Sequence, residues 1–113
     1  EIEYADVSNG TLVSNAFTAN SAPSSAVIGL QTVESGYCTP NTDFTAEVSR
    51  DGGTTFTACT LAIKSTLGAS NTKYYESAAT DISSQPSGTS IKYRIKTLNN
   101  KDIQVHGVAL KWS

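Results

Sequence analysis

The sequence predicts an all-β protein: an antiparallel β-sandwich, jelly-roll-like, with about eight strands. Three observations lead to this class. Apolar and polar residues alternate in several segments, as in strands with one buried face. Turn signals separate these segments at intervals of roughly ten residues. Ser, Thr, Asn and Gly are abundant, and no helical window lies between the segments. We favour the jelly-roll arrangement over a seven-stranded immunoglobulin-like sandwich because eight strands suit two four-stranded sheets.

The 113 residues predict a single domain spanning residues 1–113, with residues 1–10 as an arm or a connecting strand. Charged residues make up 16% of the chain and the net charge is −2, which argues against nucleic acid and anionic membrane as partners. No apolar run approaches the ~20 residues that a membrane-spanning helix needs. No cofactor-binding motif is present, so we expect no cofactor.

The first strands follow from local patterns. Thr11 to Ala19 alternates and predicts a strand, and the small polar residues around Pro23 predict a loop. Ala26 to Val33 is a nearly continuous apolar run, which predicts a strand covered on both faces. Gly29 within it indicates a bulge or the close approach of another group.

The most specific signal lies between Asp43 and Leu61. Alternating segments stand on both sides of an Asp-Gly-Gly turn, which predicts an antiparallel hairpin. We expect this hairpin to fix the register of two central strands.

The C-terminal half contains the cleanest alternation. Lys73 to Glu76 predicts a short strand, after a less readable region that resembles a loop from Ser65 to Asn71. Ser90 to Leu98 predicts a strand with strict alternation, and Ile103 to Trp112 predicts the last one. Its apolar phase slips by one residue near His106-Gly107, which indicates a β-bulge with glycine in an unusual backbone conformation.

The hairpin turn matches the Asp-box pattern, Ser-x-Asp-x-Gly-x-Thr-aromatic. The matching residues are Ser49, Asp51, Gly53, Thr55 and Phe56, with Phe56 where Trp is more usual. Short oxygen-bearing side chains bond to the N–H groups of their own turn, and glycine tolerates positive φ. We expect Phe56 to anchor the turn against the core. The Asp box is therefore interpreted as a structural turn, with a ligand contact at the loop tip as the alternative.

Catalysis is not expected. A glycosidase needs two carboxylates that face each other across a cleft, and nothing in the sequence pairs its ten Asp and Glu residues. A sialidase would need several arginines, and only Arg50 and Arg94 are present. His106, the single histidine, is interpreted as a half-exposed sheet residue. The Asn and Asp residues of the loops are interpreted as turn residues and not as metal ligands.

Two cysteines, Cys38 and Cys59, leave two alternatives open. If the hairpin pairs about its glycine tip, Cys59 lies within reach of Cys38, and a disulfide would staple the base of the hairpin. Such a bond would indicate an oxidising compartment. The other alternative is two small buried apolar residues in neighbouring strands.

Two further groups are candidate contact surfaces. Tyr74 and Tyr75 are adjacent, so on a strand one of them must face outward, where it could stack on a sugar. Lys92, Arg94 and Lys96 share one face of a predicted strand, which is interpreted as a solvated face or a contact surface. Trp112 is in phase with Val108 and Leu110 and is assigned to the core.

The chain resembles a family in three segments: TLVSNAFTANSAPSS, NTDFTAEVSRDGGTTFTACTL and SSQPSGTSIKYRIKTLNNKDIQVHGVALKW. They are similar to the β-sandwich domains of virion appendage proteins of tailed phages. The resemblance implies a tail-fibre, decoration or other structural module that assembles in multiple copies, and it names no ligand. It is weakest over Ala62 to Thr80.

The expected function is therefore that of a non-enzymatic structural domain of a phage virion, located in the extracellular particle. Its expected partners are copies of itself or other virion proteins, together with a glycan of the host surface. The alternative is a carbohydrate-binding or adhesin-like module of a secreted or cell-surface protein.

Overall fold

The computed structural model describes residues 9–34, 36, 38–67 and 72–113. Within them the chain forms ten strands and no helix. The strands are β1 Gly10–Val13, β2 Phe17–Thr18, β3 Ser25–Glu34, β4 Phe44–Ser49, β5 Thr57–Cys59, β6 Leu61–Leu67, β7 Thr72–Ser77, β8 Thr80–Asp81, β9 Ser90–Thr97 and β10 Ile103–Trp112. The predicted arm or connecting strand lies outside the described residues, except for Asn9 and Gly10. In the described part of the chain, no helix has the length and apolarity to span a membrane.

The strands form two antiparallel sheets. The first sheet has the order β1-β9-β4-β5, with β2 also pairing with β9. The second has the order β10-β3-β7-β6, with β8 also pairing with β3. The predicted antiparallel β-sandwich is confirmed, with ten strands among the described residues where about eight were predicted. The predicted loop from Ser65 to Asn71 is wrong as far as Leu67, because these residues extend β6; residues 68–71 lie outside the described residues.

The core lies between the sheets because the alternating strands turn one face inward. In β9, Ile91, Tyr93 and Ile95 are buried, as the alternation predicts. In β3, Ile28 and Leu30 are fully buried. The prediction that β3 is covered on both faces is wrong, because its outer face is open at the exposed Gln31.

The predicted hairpin is present, with Ala46 of β4 opposite Cys59 of β5. Its position in the sheet differs from the prediction. β4 is central, but β5 is an edge strand of only three residues. The hairpin therefore joins a central strand to the margin of the sheet.

The predicted bulge in β10 is also confirmed. The register with β3 shifts between Val105 and Gly107, which leaves His106 as the extra residue. Gly107 is not among the described glycines with positive φ, which are Gly52 and Gly53. The expected unusual backbone conformation at Gly107 is therefore wrong.

The sandwich has two lateral sides, each formed by one margin of each sheet. On one side β5 and β6 follow each other with a single residue, Thr60, between them. On the other side, side chains of β2 and β9 line a cleft together with side chains of β10. These two sides present the unpaired edges of the sheets.

Candidate functional site

The Asp box forms a loop that bonds to itself. The Ser49 Oγ accepts hydrogen bonds from the N–H groups of Asp51 (3.2 Å) and Gly53 (2.9 Å) and donates one to Asp51 Oδ1 (2.7 Å). The same Oδ1 accepts from the N–H groups of Thr54 (3.1 Å) and Thr55 (2.9 Å). Gly53 has a φ of 94°, which a side chain would strain. The pattern of bonds is that of a rigid turn.

The charge of Asp51 is part of this turn. Burial of the carboxyl raises its pKa, but the hydrogen bonds from Ser49, Thr55 and Thr54 outweigh burial and lower the pKa to about 2. Its second oxygen, Oδ2, is buried and has no hydrogen-bond partner among the described residues. Asp51 is therefore ionised across the neutral range.

Phe56 does not anchor the turn in the core, contrary to the expectation. It is half-buried and lies beneath the guanidinium of Arg94, whose Cζ is 4.0 Å from the ring centroid. Because the ring carries negative charge density on its face, the contact is a cation–π interaction.

Arg50, beside the Asp box, holds the surrounding loops together. Its side chain is 8% exposed and donates to the carbonyl oxygens of Pro23 (2.9 Å), Ser83 (2.9 Å), Pro86 (3.2 Å) and Gln85. The guanidinium thus connects the loop before β3 to the loop after β8. Among the described residues no carboxylate pairs with it, so backbone dipoles replace its lost hydration.

Gln85 adds hydrogen bonds from its side chain to the same region. Its Oε1 accepts from the N–H of Arg50 (2.7 Å), and its Nε2 donates to the carbonyl of Val48 (2.9 Å) and to Thr57 Oγ1 (2.8 Å). We call Ser49, Arg50, Asp51 and Gln85 the Asp-box corner. Sequence reasoning missed the roles of Arg50 and Gln85, because partners 27 to 37 residues away leave no local pattern.

The predicted basic face of β9 is largely engaged within the protein. Arg94 donates from Nε to Glu47 Oε1 (2.7 Å) and from Nη2 to Glu47 Oε2 (3.0 Å). Lys96 Nζ lies 3.8 Å from the same carboxylate, and the alkyl chain of Lys92 packs beside Gly53. The hydrogen bonds from Arg94 lower the pKa of Glu47 despite its burial. The face therefore carries less free charge than its sequence indicates.

Of the two tyrosines predicted as a contact surface, Tyr75 is buried and Tyr74 is not. Tyr75 packs edge-on against Phe44 at 4.9 Å between ring centroids. Its hydroxyl donates to Glu34 Oε2 (2.8 Å). Tyr75 is therefore not available to contact a ligand at the surface. Tyr74 lies on the outer face of the second sheet, where its phenol end covers Gly29. The close approach predicted at Gly29 is thus explained.

Cys38 and Cys59 are free and buried, but only Cys59 lies in a strand, so the second of the two alternatives is met in part. Burial raises the pKa of both thiols. Both side chains belong to the core and act there as small apolar groups.

An aromatic cleft that the sequence did not reveal opens between the sheets. Its volume is about 270 Å³, and its lining comes from the first sheet on one side and from β10 on the other. The lining residues are Phe17, Tyr93, Val108, Leu110 and Trp112. The Phe17 and Tyr93 rings are stacked, with centroids 6.4 Å apart and planes inclined by 20°.

Phe17 and Trp112 stand at the mouth of the aromatic cleft. Phe17 is 42% exposed. Trp112 packs against the buried core but is itself only partly buried, so it lies at the margin of the core and not within it as predicted. The signal available in the sequence is Phe17, an aromatic residue in a predicted strand that mixes polar and apolar residues on both faces.

Neither a metal site nor a similar known protein was found. In the described ranges, no group of three or more His, Cys, Asp or Glu side chains is placed to hold a metal ion. No protein-family model, curated protein or solved structure matches the chain.

Proposed function

We propose that this chain is a non-enzymatic structural module of a tailed-phage virion, in a tail fibre, a decoration protein or another appendage. It assembles in several copies and contacts the host surface. The observation that carries the proposal is the difference between the two lateral sides of the sandwich. One side offers an open strand edge for assembly, and the other offers a cleft for contact.

The assembly side is formed by β6, the terminal strand of its sheet. Every side chain from Ala62 to Thr66 is exposed, and Ile63 is 52% exposed. A terminal strand presents unpaired N–H and C=O groups, which a neighbouring chain can pair with. Repetition of one such contact by symmetry generates an oligomer. The β6 edge is therefore the proposed contact between copies.

The carboxylates support a structural role. Asp51, Glu47, Glu34 and Asp43 all accept hydrogen bonds from neighbouring groups in the fold. A general acid or nucleophile has to face a substrate instead. These four acids stabilise loops and strands, which favours a protein that binds over one that catalyses.

Native mass spectrometry over a concentration series tests the assembly. The wild-type chain is expected to self-associate, and Ile63→Lys is expected to weaken association about tenfold or more, because the new cation lies in the contact. Val13→Lys is the matched control, since Val13 is 46% exposed on the β1 edge of the other lateral side. A monomer at every soluble concentration would overturn the proposal, as would equal effects of the two substitutions.

A second function, that of a carbohydrate-binding or adhesin-like module of a secreted or cell-surface protein, is favoured by the aromatic cleft. Exposed rings bind the apolar faces of sugars by stacking. A strictly monomeric chain that binds sugar would support this alternative over the virion module.

A further inference from the structure

We propose that the aromatic cleft binds one neutral pyranose unit of a surface glycan, with the ring held among Phe17, Tyr93 and Trp112. This inference deepens the proposed contact with the host surface and rests on it.

The size and walls of the cleft suit a single sugar ring. Its volume of about 270 Å³ lies just below the range of roughly 300–1,000 Å³ typical of sites for drug-sized ligands. Stacked Phe17 and Tyr93 form one aromatic wall, and Trp112 lines the cleft from β10. The C–H groups of a pyranose face are apolar and pack on such rings.

The Tyr93 hydroxyl is a polar group on a largely buried side chain that lines the cleft. Tyr93 is only 6% exposed, yet its hydroxyl has no hydrogen-bond partner among the described residues. Among the described residues, the only fully buried side-chain oxygen or nitrogen without a partner is Asp51 Oδ2. The Tyr93 hydroxyl is therefore not fully buried and keeps contact with solvent. The aromatic cleft is the opening that this side chain lines. The side chains that line this apolar cleft therefore include one with a hydroxyl that lacks a partner among the described residues.

Trp112 adds a second polar group at the mouth. The indole N–H is a donor, and no acceptor for it is found in the described part of the chain. The tyrosine hydroxyl can both donate and accept. Together they match the hydroxyl groups of a sugar ring, which also donate and accept.

The lining selects a neutral ligand. None of the five lining side chains is charged at neutral pH, and burial raises the pKa of Tyr93 further above that range. Arg94, the neighbouring cation of β9, is held by Glu47 on the other face of the strand. An acidic sugar would find no cation among the lining residues.

The same hydroxyl distinguishes a sugar from a protein side chain as the occupant. An apolar side chain of a neighbouring copy could fill the cleft, but it would remove water from the Tyr93 hydroxyl without replacing the hydrogen bond. An unsatisfied buried hydroxyl is unfavourable. A sugar hydroxyl satisfies it, and so the geometry favours a glycan.

The chain's single tryptophan makes the experiment direct, because Trp112 lines the cleft and its fluorescence responds to binding there. Trp112 also lines a neighbouring pocket with Lys111, so substitutions of Phe17 and Tyr93, which line only the aromatic cleft of the two, identify the site that responds. The full chain is titrated with the methyl glycosides of glucose, galactose, mannose and N-acetylglucosamine, and with sialic acid as the acidic comparison. We expect a saturable change with at least one neutral glycoside and none with sialic acid. No response to any neutral glycoside, or an equal response to sialic acid, would overturn the inference.

Three variants sharpen the result. Tyr93→Phe removes only the hydroxyl and is expected to weaken binding about five- to tenfold. Phe17→Ser removes the exposed ring and is expected to weaken binding about tenfold or more. Tyr74→Phe removes a hydroxyl from the outer face of the second sheet and should leave binding unchanged. Wild-type affinity in Tyr93→Phe would show that the hydroxyl does not recognise the ligand and would overturn the assignment.

Measuring self-association in the same samples separates the two proposals. An oligomer without sugar binding overturns the cleft assignment and leaves the assembly proposal standing. A monomer without sugar binding overturns both. A Trp112 signal that changes on dilution without sugar would assign the cleft to a neighbouring copy and reject the glycan.

Discussion

The Asp-box corner and the aromatic cleft differ in whether their polar side-chain groups have hydrogen-bond partners within the fold. In the corner, Arg50, Gln85 and Ser49 place their polar atoms against partners in the fold, and among the described residues only Asp51 Oδ2 is buried without one. In the cleft, the Tyr93 hydroxyl and the Trp112 indole have no partner in the described chain. Bonded groups hold loops in place, whereas unbonded groups beside exposed rings are available to a ligand. The more recognisable motif is thus the structural one.

We therefore expect substitutions in the Asp-box corner to lower stability and substitutions in the aromatic cleft to lower binding. Replacing Arg50 provides the strongest test. Arg50→Met leaves the carbonyl oxygens of two loops without their shared donor, so we expect the free energy of unfolding to fall by about 3 kcal/mol. Urea denaturation measures it.

The control is Lys64→Met, an exposed cation of β6, which should change stability by less than about 0.5 kcal/mol. If Arg50→Met cost no more than this control, the corner would not be the stabilising element that its hydrogen bonds indicate.

Gly88 tests how tightly the backbone of the corner is packed. A Cβ at this position would overlap the Arg50 carbonyl oxygen and lie 3.3 Å from Asp51 Cα, and neither atom belongs to a flexible side chain. Gly88→Ala is expected to lower stability by about 2 kcal/mol. Thermal unfolding of Gly107→Ala gives the comparison. At Gly107 the nearest atom would be 3.9 Å away, so that variant should remain within about 0.5 kcal/mol of wild type.

Asp51 gives the smallest effect and a pH signature. Its pKa of about 2 in the folded state lies below the value of about 3.9 expected for an unfolded chain. The ionised carboxylate therefore stabilises the fold above about pH 4, and this contribution disappears as pH falls through about 2. We expect Asp51→Asn to cost about 1–2 kcal/mol at neutral pH.

The measurement is urea denaturation of wild type and Asp51→Asn at a series of pH values from 7 to 2. The two stabilities should converge at the acid end. A constant difference across the series would show that the side chain acts through its shape and not through its charge. Unchanged sugar binding in Asp51→Asn would keep the corner and the cleft separate in function.

Much of the fold follows from local patterns. β9 and the first half of β10 alternate because one face is buried, so their sequences show which face is inward. The Asp box could be identified because the side-chain hydrogen bonds of Ser49 and Asp51 lie within a few residues. The sequence did not predict β6, because its residues from Ala62 to Thr66 are exposed on both faces. A strand without a buried face shows no alternation of apolar and polar residues.

An antiparallel sandwich, a hairpin with a self-bonded turn and a bulge at His106 are all predictable from the sequence. These features depend on the period of the side chains and on contacts between near neighbours. Long-range packing places Arg50 against the carbonyls of distant loops, Tyr75 inside and Tyr74 outside the sandwich, and Phe17 and Trp112 in the lining of one cleft. The physical reason is that sheet order and edge position arise from long-range strand pairing. Alternation records which face a side chain occupies, but it does not record which strand lies beside it or whether any strand lies there at all.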